Sequence, residues 1–290
     1  MDQNQKEHHF NCPNDYLSFY GIDQCKLSVH KQLKLDGKTM VQIFEPANAK
    51  NTVLLIHGYF DHSGSLKNVI NHFLSLNYRI VSYDLEGHGL SSGNRGEIQD
   101  FADYVGSLKE VLAFCKKSEF YPSTVIAHST GAAIFTDYLL QYRKHFEKVI
   151  YFAPLVRPAN WRYVLTASKI VPIFKQKLTR KFAKNSGDVD YLAFVKNDPL
   201  QCRFISISWV LAMIRWNKKL EEYPPSTQDI YIIQGSLDET VDWKYNVTYL
   251  RKKFPFAQIA LITDGGHQII NDSPVIMKQV FALIDKYRLS

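Results

Sequence analysis

From Thr52 onward, short apolar runs rich in β-branched residues alternate with stretches of helical periodicity, and few folds accept that pattern. Strands are expected at 52–57, 79–84, 123–128 and 149–153, with helices at 65–76, 99–117 and 130–142 between them. Runs that are apolar throughout, rather than every second residue, belong to strands buried on both faces. Connecting them through helices specifies a mostly parallel sheet wrapped on both sides. Ahead of this pattern, 32–35 and 39–44 flank Asp36-Gly37, a pairing that reads as an antiparallel hairpin. After Pro154 the alternation stops, and 155–226 reads as basic, aromatic helices closed off by Pro224-Pro225. It resumes with strands at 229–234 and 258–262 and helices at 242–253 and 274–288. The expectation is an α/β chain with an eight-stranded sheet. Residues 1–154 and 227–290 form its core, and 155–226 is an inserted helical cap.

With 46% hydrophobic and 22% charged residues over 290 positions, disorder and fibrous classes are excluded. The first ten residues, MDQNQKEHHF, are too polar for a secretory signal. The most apolar stretch, 204–214, falls short of the roughly 20 residues that span a bilayer. Cys12, Cys25, Cys115 and Cys202 are scattered and read as free thiols of a reducing compartment. The spacing of Cys12 and Cys25 near His8 and His9 fits no zinc module, so neither a metal nor an organic cofactor is expected. A cytoplasmic protein follows, in contact at most with a membrane surface. The net charge is +7. Residues 156–226 hold 13 Lys and Arg against five acids, leaving −1 for the rest. Nucleic acid is not indicated, because the basic segment contains no recognition module. An anionic lipid surface and a plain solvated helical face are the alternatives.

Two serines compete as nucleophile. Gly89-Leu90-Ser91-Ser92-Gly93 matches G-x-S-x-G literally, whereas Ala127-His128-Ser129-Thr130-Gly131 lacks the first glycine. The motif works by ending a strand in a sharp turn that passes at once into a helix, lifting the serine above the sheet. Val125-Ile126 before Ser129 and Gly131-Ala132-Ala133 after it provide that context; Ser91 sits in a loop of Gly, Asn and Arg. In this arrangement the base follows the acid, which follows the serine. His145 lies at the far end of the helix after Ser129, so His267, in the turn Asp264-Gly265-Gly266 just past the last strand, is the expected base. Asp238, directly after the strand at 229–234, is the expected acid, and Asp242 a helix-terminal residue. Backbone N–H groups of Thr130 and Tyr59 are the expected oxyanion donors. His57, His62 and His128 are read as turn-ordering side chains.

On these residues the chain resembles the α/β hydrolases related to monoacylglycerol lipases, lysophospholipases and serine aminopeptidases. The resemblance rests on Asp36-Gly37, His57-Gly58 with His62-Ser63-Gly64, Asp84 with Gly87-His88-Gly89 and Ser91, and His128-Ser129-Thr130-Gly131. It continues in Gly235 with Asp238 and Val241, and in Gly266-His267. Ala127 stands where glycine is usual and Glu86 where arginine is common, and neither is a catalytic position. The resemblance implies a carboxylic-ester hydrolase working through an acyl-enzyme on Ser129, an oxyanion donor at Tyr59, a loop-ordering role for Asp84, and a cap that shapes an acyl tunnel. Trp161, Phe174 and Trp209 are the cap aromatics expected to line it. A small-ester esterase, an acyltransferase and an aminopeptidase would use the same triad. A non-catalytic scaffold would be expected to have lost part of it.

Overall fold

The computed structural model describes residues 13–180 and 184–289, so Cys12, His8, His9 and Lys181 lie outside the described residues. The chain opens with helix α1 (Pro13–Tyr20) and the hairpin β1 (Val29–Leu35) and β2 (Thr39–Glu45). Then follow β3 (Asn51–Ile56), α2 (Lys67–Ser75), β4 (Tyr78–Tyr83), α3 (Phe101–Lys117), β5 (Thr124–His128), α4 (Thr130–Tyr142) and β6 (Lys148–Phe152). Between β6 and the next strand of the main sheet come α5 (Trp161–Ala167), β7 (Lys177–Thr179), α6 (Val189–Asn197), β8 (Phe204–Ser206) and α7 (Ile207–Glu222). The chain closes with β9 (Tyr231–Gly235), α8 (Trp243–Lys253), β10 (Gln258–Ile262) and α9 (Pro274–Leu289).

The main sheet runs β1-β2-β4-β3-β5-β6-β9-β10, with β2 antiparallel to both neighbours and every other pair parallel. Leu54 and Ile56 point into one apolar layer and Val53 and Leu55 into the other. The first layer is closed by α3, α4, α7 and α8, the second by α1, α2 and α9. Burial on both faces is what the unbroken apolar runs require. From β3 the chain moves to β4 on one side and then returns to β5 on the other. The carboxyl ends of β3 and β5 therefore flank the point where strand order reverses, where such sheets leave a crevice.

Three elements differ from expectation. α1 is an additional helix, and β7 pairs antiparallel with β8 (Leu178 opposite Ile205) inside the segment expected to be purely helical. Three-residue strands carry too little periodicity to register in a sequence pattern. No described helix is long and apolar enough to cross a membrane.

Candidate active site

At the end of β5 the chain turns sharply into α4, and Ser129 at the turn has φ 51° and ψ −111°, a conformation non-glycine residues rarely adopt. Its N–H donates to Phe152 O on β6, and its own carbonyl accepts from Ala133 and Leu155. The turn is closed by backbone packing. A Cβ at Gly131 would lie 2.7 Å from His57 O and nearer still to Ile56 O, so only glycine lets α4 start this close to β3. Ala127, in the centre of the sheet between Ile56 and Tyr151, is fully buried.

Asp238 and His267 arrive on the loops after β9 and β10. These loops touch backbone to backbone at Gly235, where a Cβ would come within 2.5 Å of Gly266 O and closer to Gly265 O. His267 Nδ1 lies 2.7 Å from Asp238 Oδ2 and Nε2 lies 3.1 Å from Ser129 Oγ. A carboxylate only accepts, so Nδ1 carries its hydrogen toward Asp238 and the neutral ring turns the Nε2 lone pair to the serine hydroxyl. Asp238 also accepts from Gln234 Nε2 (3.1 Å), Thr240 N (2.8 Å) and Val241 N (3.2 Å). Burial pushes its carboxyl up, but His267 and these donors more than offset this and hold it below the ordinary range. Asp242 caps α8 by accepting from Tyr245 N at 3.3 Å. His145 is exposed beyond α4, away from the serine.

The other histidines order loops. His57 Nδ1 donates to Gly58 O (2.8 Å) while Nε2 accepts from Leu85 N (2.9 Å), and burial lowers the ring's pKa. His62 accepts from Gly64 N and donates from Nε2 to Asp198 Oδ2 at 2.9 Å. His128 Nε2 donates to His267 O (3.1 Å), and its Nδ1 lies 3.6 Å from Asp61 Oδ2. Burial would raise the Asp61 carboxyl, yet His128, Arg180 and Gln268 hold it well below the usual carboxylate range. Asp84 accepts from Ser63 N, Ser63 Oγ and Leu90 N, each at 2.7 Å. Ser91 Oγ donates to Asp84 O (2.6 Å) and accepts from Met40 N (2.8 Å), so the literal G-x-S-x-G serine ties a loop.

Three contributors carry no signal in the sequence. Gln234 steadies Asp238. Asp272 accepts from Gly266 N (3.0 Å) and Gly187 N (2.8 Å), tying the His267 loop to the segment before α6. Arg180, following β7, faces the same space as Ser129.

That space is a cavity of about 220 Å³ bordered by Ser129, Thr130, Tyr59, Phe60 and His267. Leu155, Pro158, Ile205, Trp209, Thr240 and Val241 supply most of its apolar wall, and Arg180, Asn185 and Gln268 a polar one. Thr130 is the first residue of α4, so its N–H is among those a helix start leaves without an internal acceptor. The Tyr59 ring stacks on Trp209 at 4.1 Å, and its hydroxyl donates to Gly96 O and accepts from Ser206 N. Of the three cap aromatics, only Trp209 lines the cavity. Trp161 packs beside the Arg157 guanidinium, 5.6 Å from its ring centroid, and Phe174 is 78% exposed on the outer surface. Both therefore drop out as cavity walls. An aromatic stripe read from sequence does not say which way a short helix faces.

Residues 47–274 match the model of the family described as serine aminopeptidase, S33. Human monoglyceride lipase is 23% identical over 251 residues, covering 82% of each chain. The probable lysophospholipase L2 of Haemophilus influenzae is 22% identical over 286 residues, covering 90% of each. Among solved structures, a soluble variant of the monoglyceride lipase of Saccharomyces cerevisiae in complex with a substrate analogue is similar with a TM-score of 0.75 at 18% identity, covering 90% of this chain and 94% of that one. The monoacylglycerol lipase of Paleococcus ferrophilus gives 0.72 at 16% identity, covering 86% and 98%. The shared architecture is the α/β-hydrolase fold.

Proposed function

The chain belongs to the serine aminopeptidase S33 family, and on that premise we propose that it is a carboxylic-ester hydrolase of the monoglyceride lipase and lysophospholipase kind, acting through an acyl-enzyme on Ser129. The observation that carries the reading is the relay from Asp238 through His267 to Ser129, with spacings of 2.7 and 3.1 Å, opening on a largely apolar cavity. In the first half-reaction Ser129 Oγ bonds to the ester carbonyl carbon while His267 Nε2 takes its proton. The N–H groups of Tyr59 and Thr130 donate to the new oxyanion, a role worth about 10²–10³ in rate per donor. The alcohol then leaves with the proton from His267. Water next gives a proton to His267 and adds to the acyl carbon, and His267 returns that proton to Ser129 Oγ as the acid is released. Asp238 holds the ring and stabilises its charged form.

Within the family, the cavity favours an ester over a peptide with a free amino terminus. Among its described lining residues there is no Asp or Glu to hold a substrate ammonium group. The segment 155–226 serves as the cap, supplying Leu155, Pro158, Arg180, Asn185, Ile205 and Trp209 to the walls. The test is a series of nitrophenyl esters, monoacylglycerols and lysophospholipids of increasing acyl length, run beside aminoacyl amides. Hydrolysis of the esters, lost in Ser129→Ala, is expected. Cleavage of the amides alone would overturn the reading.

A second reading concerns the cap's outer face, where Tyr163, Ile170, Ile173 and Phe174 are exposed beside exposed Arg162, Lys169 and Lys175. Apolar groups that dip into a lipid interface, flanked by cations each worth about 1 kcal/mol on an anionic surface, make this face a membrane-docking surface. Of Lys175, Lys177, Arg180 and Lys181, the cations the sequence offers for such docking, Arg180 lines the cavity, Lys177 pairs with Glu97 at 3.0 Å and Lys181 lies outside the described residues. Sedimentation with anionic vesicles should weaken with salt and in the triple change Arg162→Glu, Lys169→Glu, Lys175→Glu. Equal binding to neutral and anionic vesicles, or none to either, would return these cations to the solvent.

A further inference from the structure

Among the residues bordering the cavity, Arg180 is the half-buried cation, and the buried Asp61 carboxylate already interacts with its charge. It sits where β7 ends, and its N–H donates to Arg203 O just ahead of β8, so the two-stranded pair fixes its backbone. The guanidinium lies over the Phe60 ring, 4.1 Å from the centroid, and Nη1 donates to Gln201 Oε1 (2.7 Å) and Cys202 O (3.2 Å). Stacking and two hydrogen bonds hold the planar group rigidly, the condition under which a guanidinium recognises an anion by geometry as well as charge. Asn185 and Gln268 are further polar residues of the lining, joined by the hydrogen bond from Gln268 N to Asn185 O (2.9 Å), and Gln268 directly follows His267. A leaving alcohol takes its proton from His267, and the next residue, Gln268, shares the polar lining with Arg180, so the alcohol portion of the ester is assigned to this lining. Trp209, Ile205 and Leu155 are the surfaces suited to the acyl chain.

We propose that Arg180 is a specificity-determining residue that recognises an anionic oxygen group, phosphate or carboxylate, on the alcohol portion of the ester. This rests on the ester-hydrolase reading and narrows its substrate class. Lysophospholipids with an accessible phosphate, or acylated hydroxy acids, are then preferred over neutral monoacylglycerols.

The test uses short-chain substrates that stay monomeric, so that cations on the cap's outer face play no part. The full chain is given butyrylglycerol, butyrylglycerol phosphate and the corresponding butyryl glycerate, and kcat/KM is measured for each. A preference for the phosphate or the carboxylate arm supports the assignment and identifies which anion is read. In Arg180→Gln the anionic-to-neutral ratio should fall about 10- to 100-fold, the worth of a hydrogen bond to a charged group, mostly through KM. Arg180→Lys should fall between the two. An independent measurement on the unaltered protein is competition against butyrylglycerol. Glycerol 3-phosphate should inhibit at least about tenfold more tightly than glycerol. Equal ratios in the unaltered and Arg180→Gln proteins, or equal inhibition by the two glycerols, would overturn the assignment, and the ester-hydrolase reading would still stand on hydrolysis of butyrylglycerol by the unaltered protein. Absence of hydrolysis of all three esters would instead strike at the reading it rests on.

Discussion

Replacing Asp238 by Asn changes one atom and should remove most of the activity, for a reason the hydrogen bonds make explicit. The carboxylate accepts from four donors: His267 Nδ1 and Gln234 Nε2 at one oxygen, and the N–H groups of Thr240 and Val241 at the other. An amide has one oxygen. If it faces the backbone pair, its NH₂ confronts His267 and Gln234, and the ring must adopt the other tautomer, with Nδ1 as acceptor and an Nε2 hydrogen pointed at Ser129. In that state the ring cannot take the serine proton. If the oxygen faces His267, the NH₂ confronts two backbone donors and the loop must shift. The expected loss is about 10⁴ in kcat, or about 5.4 kcal/mol of transition-state stabilisation. The assay is steady-state hydrolysis of nitrophenyl butyrate at pH 7, with Asp242→Asn as comparison. Asn caps helices as well as Asp does, so that change should leave kcat within about twofold. Retention of a tenth of the rate by Asp238→Asn, or greater damage from Asp242→Asn, would refute the role given to Asp238.

Gly131→Ala forces a Cβ against the carbonyls of Ile56 and His57, both backbone, so α4 must move and carry Ser129 with it. A loss of about 1–3 kcal/mol together with a fall in kcat is expected, read from thermal melts and the same ester assay; an unchanged melting temperature would mean the turn has slack. The Asp61 carboxyl is held below its unfolded value, near 3.9, so it contributes stability above that pH which is lost as pH falls through its folded value. The drop in melting temperature between pH 6 and pH 3 should accordingly be steeper in the unaltered protein than in Asp61→Asn, and parallel profiles would remove Asp61 as a source of acid sensitivity.

Much of this site is legible in the residues themselves. Ser129 stands out because strand-forming Val125-Ile126 and helix-forming Gly131-Ala132-Ala133 bracket it, and Ser91 fades because nothing after it can start a helix. Asp238 and His267 follow from their places just past the ends of strands, where a parallel sheet gathers its loops. What stays hidden depends on contacts distant along the chain. Gln234 and Asp272 are polar residues whose partners exist only once β9, β10 and the segment before α6 meet. Arg180 looks like one cation among 13 until the β7–β8 pair turns it inward, and Phe174 looks like an acyl wall until a short 3₁₀ turn leaves it 78% exposed.

The most direct measurement of the central claim is labelling with a fluorophosphonate followed by peptide mapping, because the probe bonds only to a serine that has a base and an oxyanion pocket together. A single label on Ser129 is expected, still present in Ser91→Ala and lost in Ser129→Ala and His267→Ala. A label on Ser91, or undiminished labelling of Ser129→Ala, would contradict the assignment of Ser129 as nucleophile.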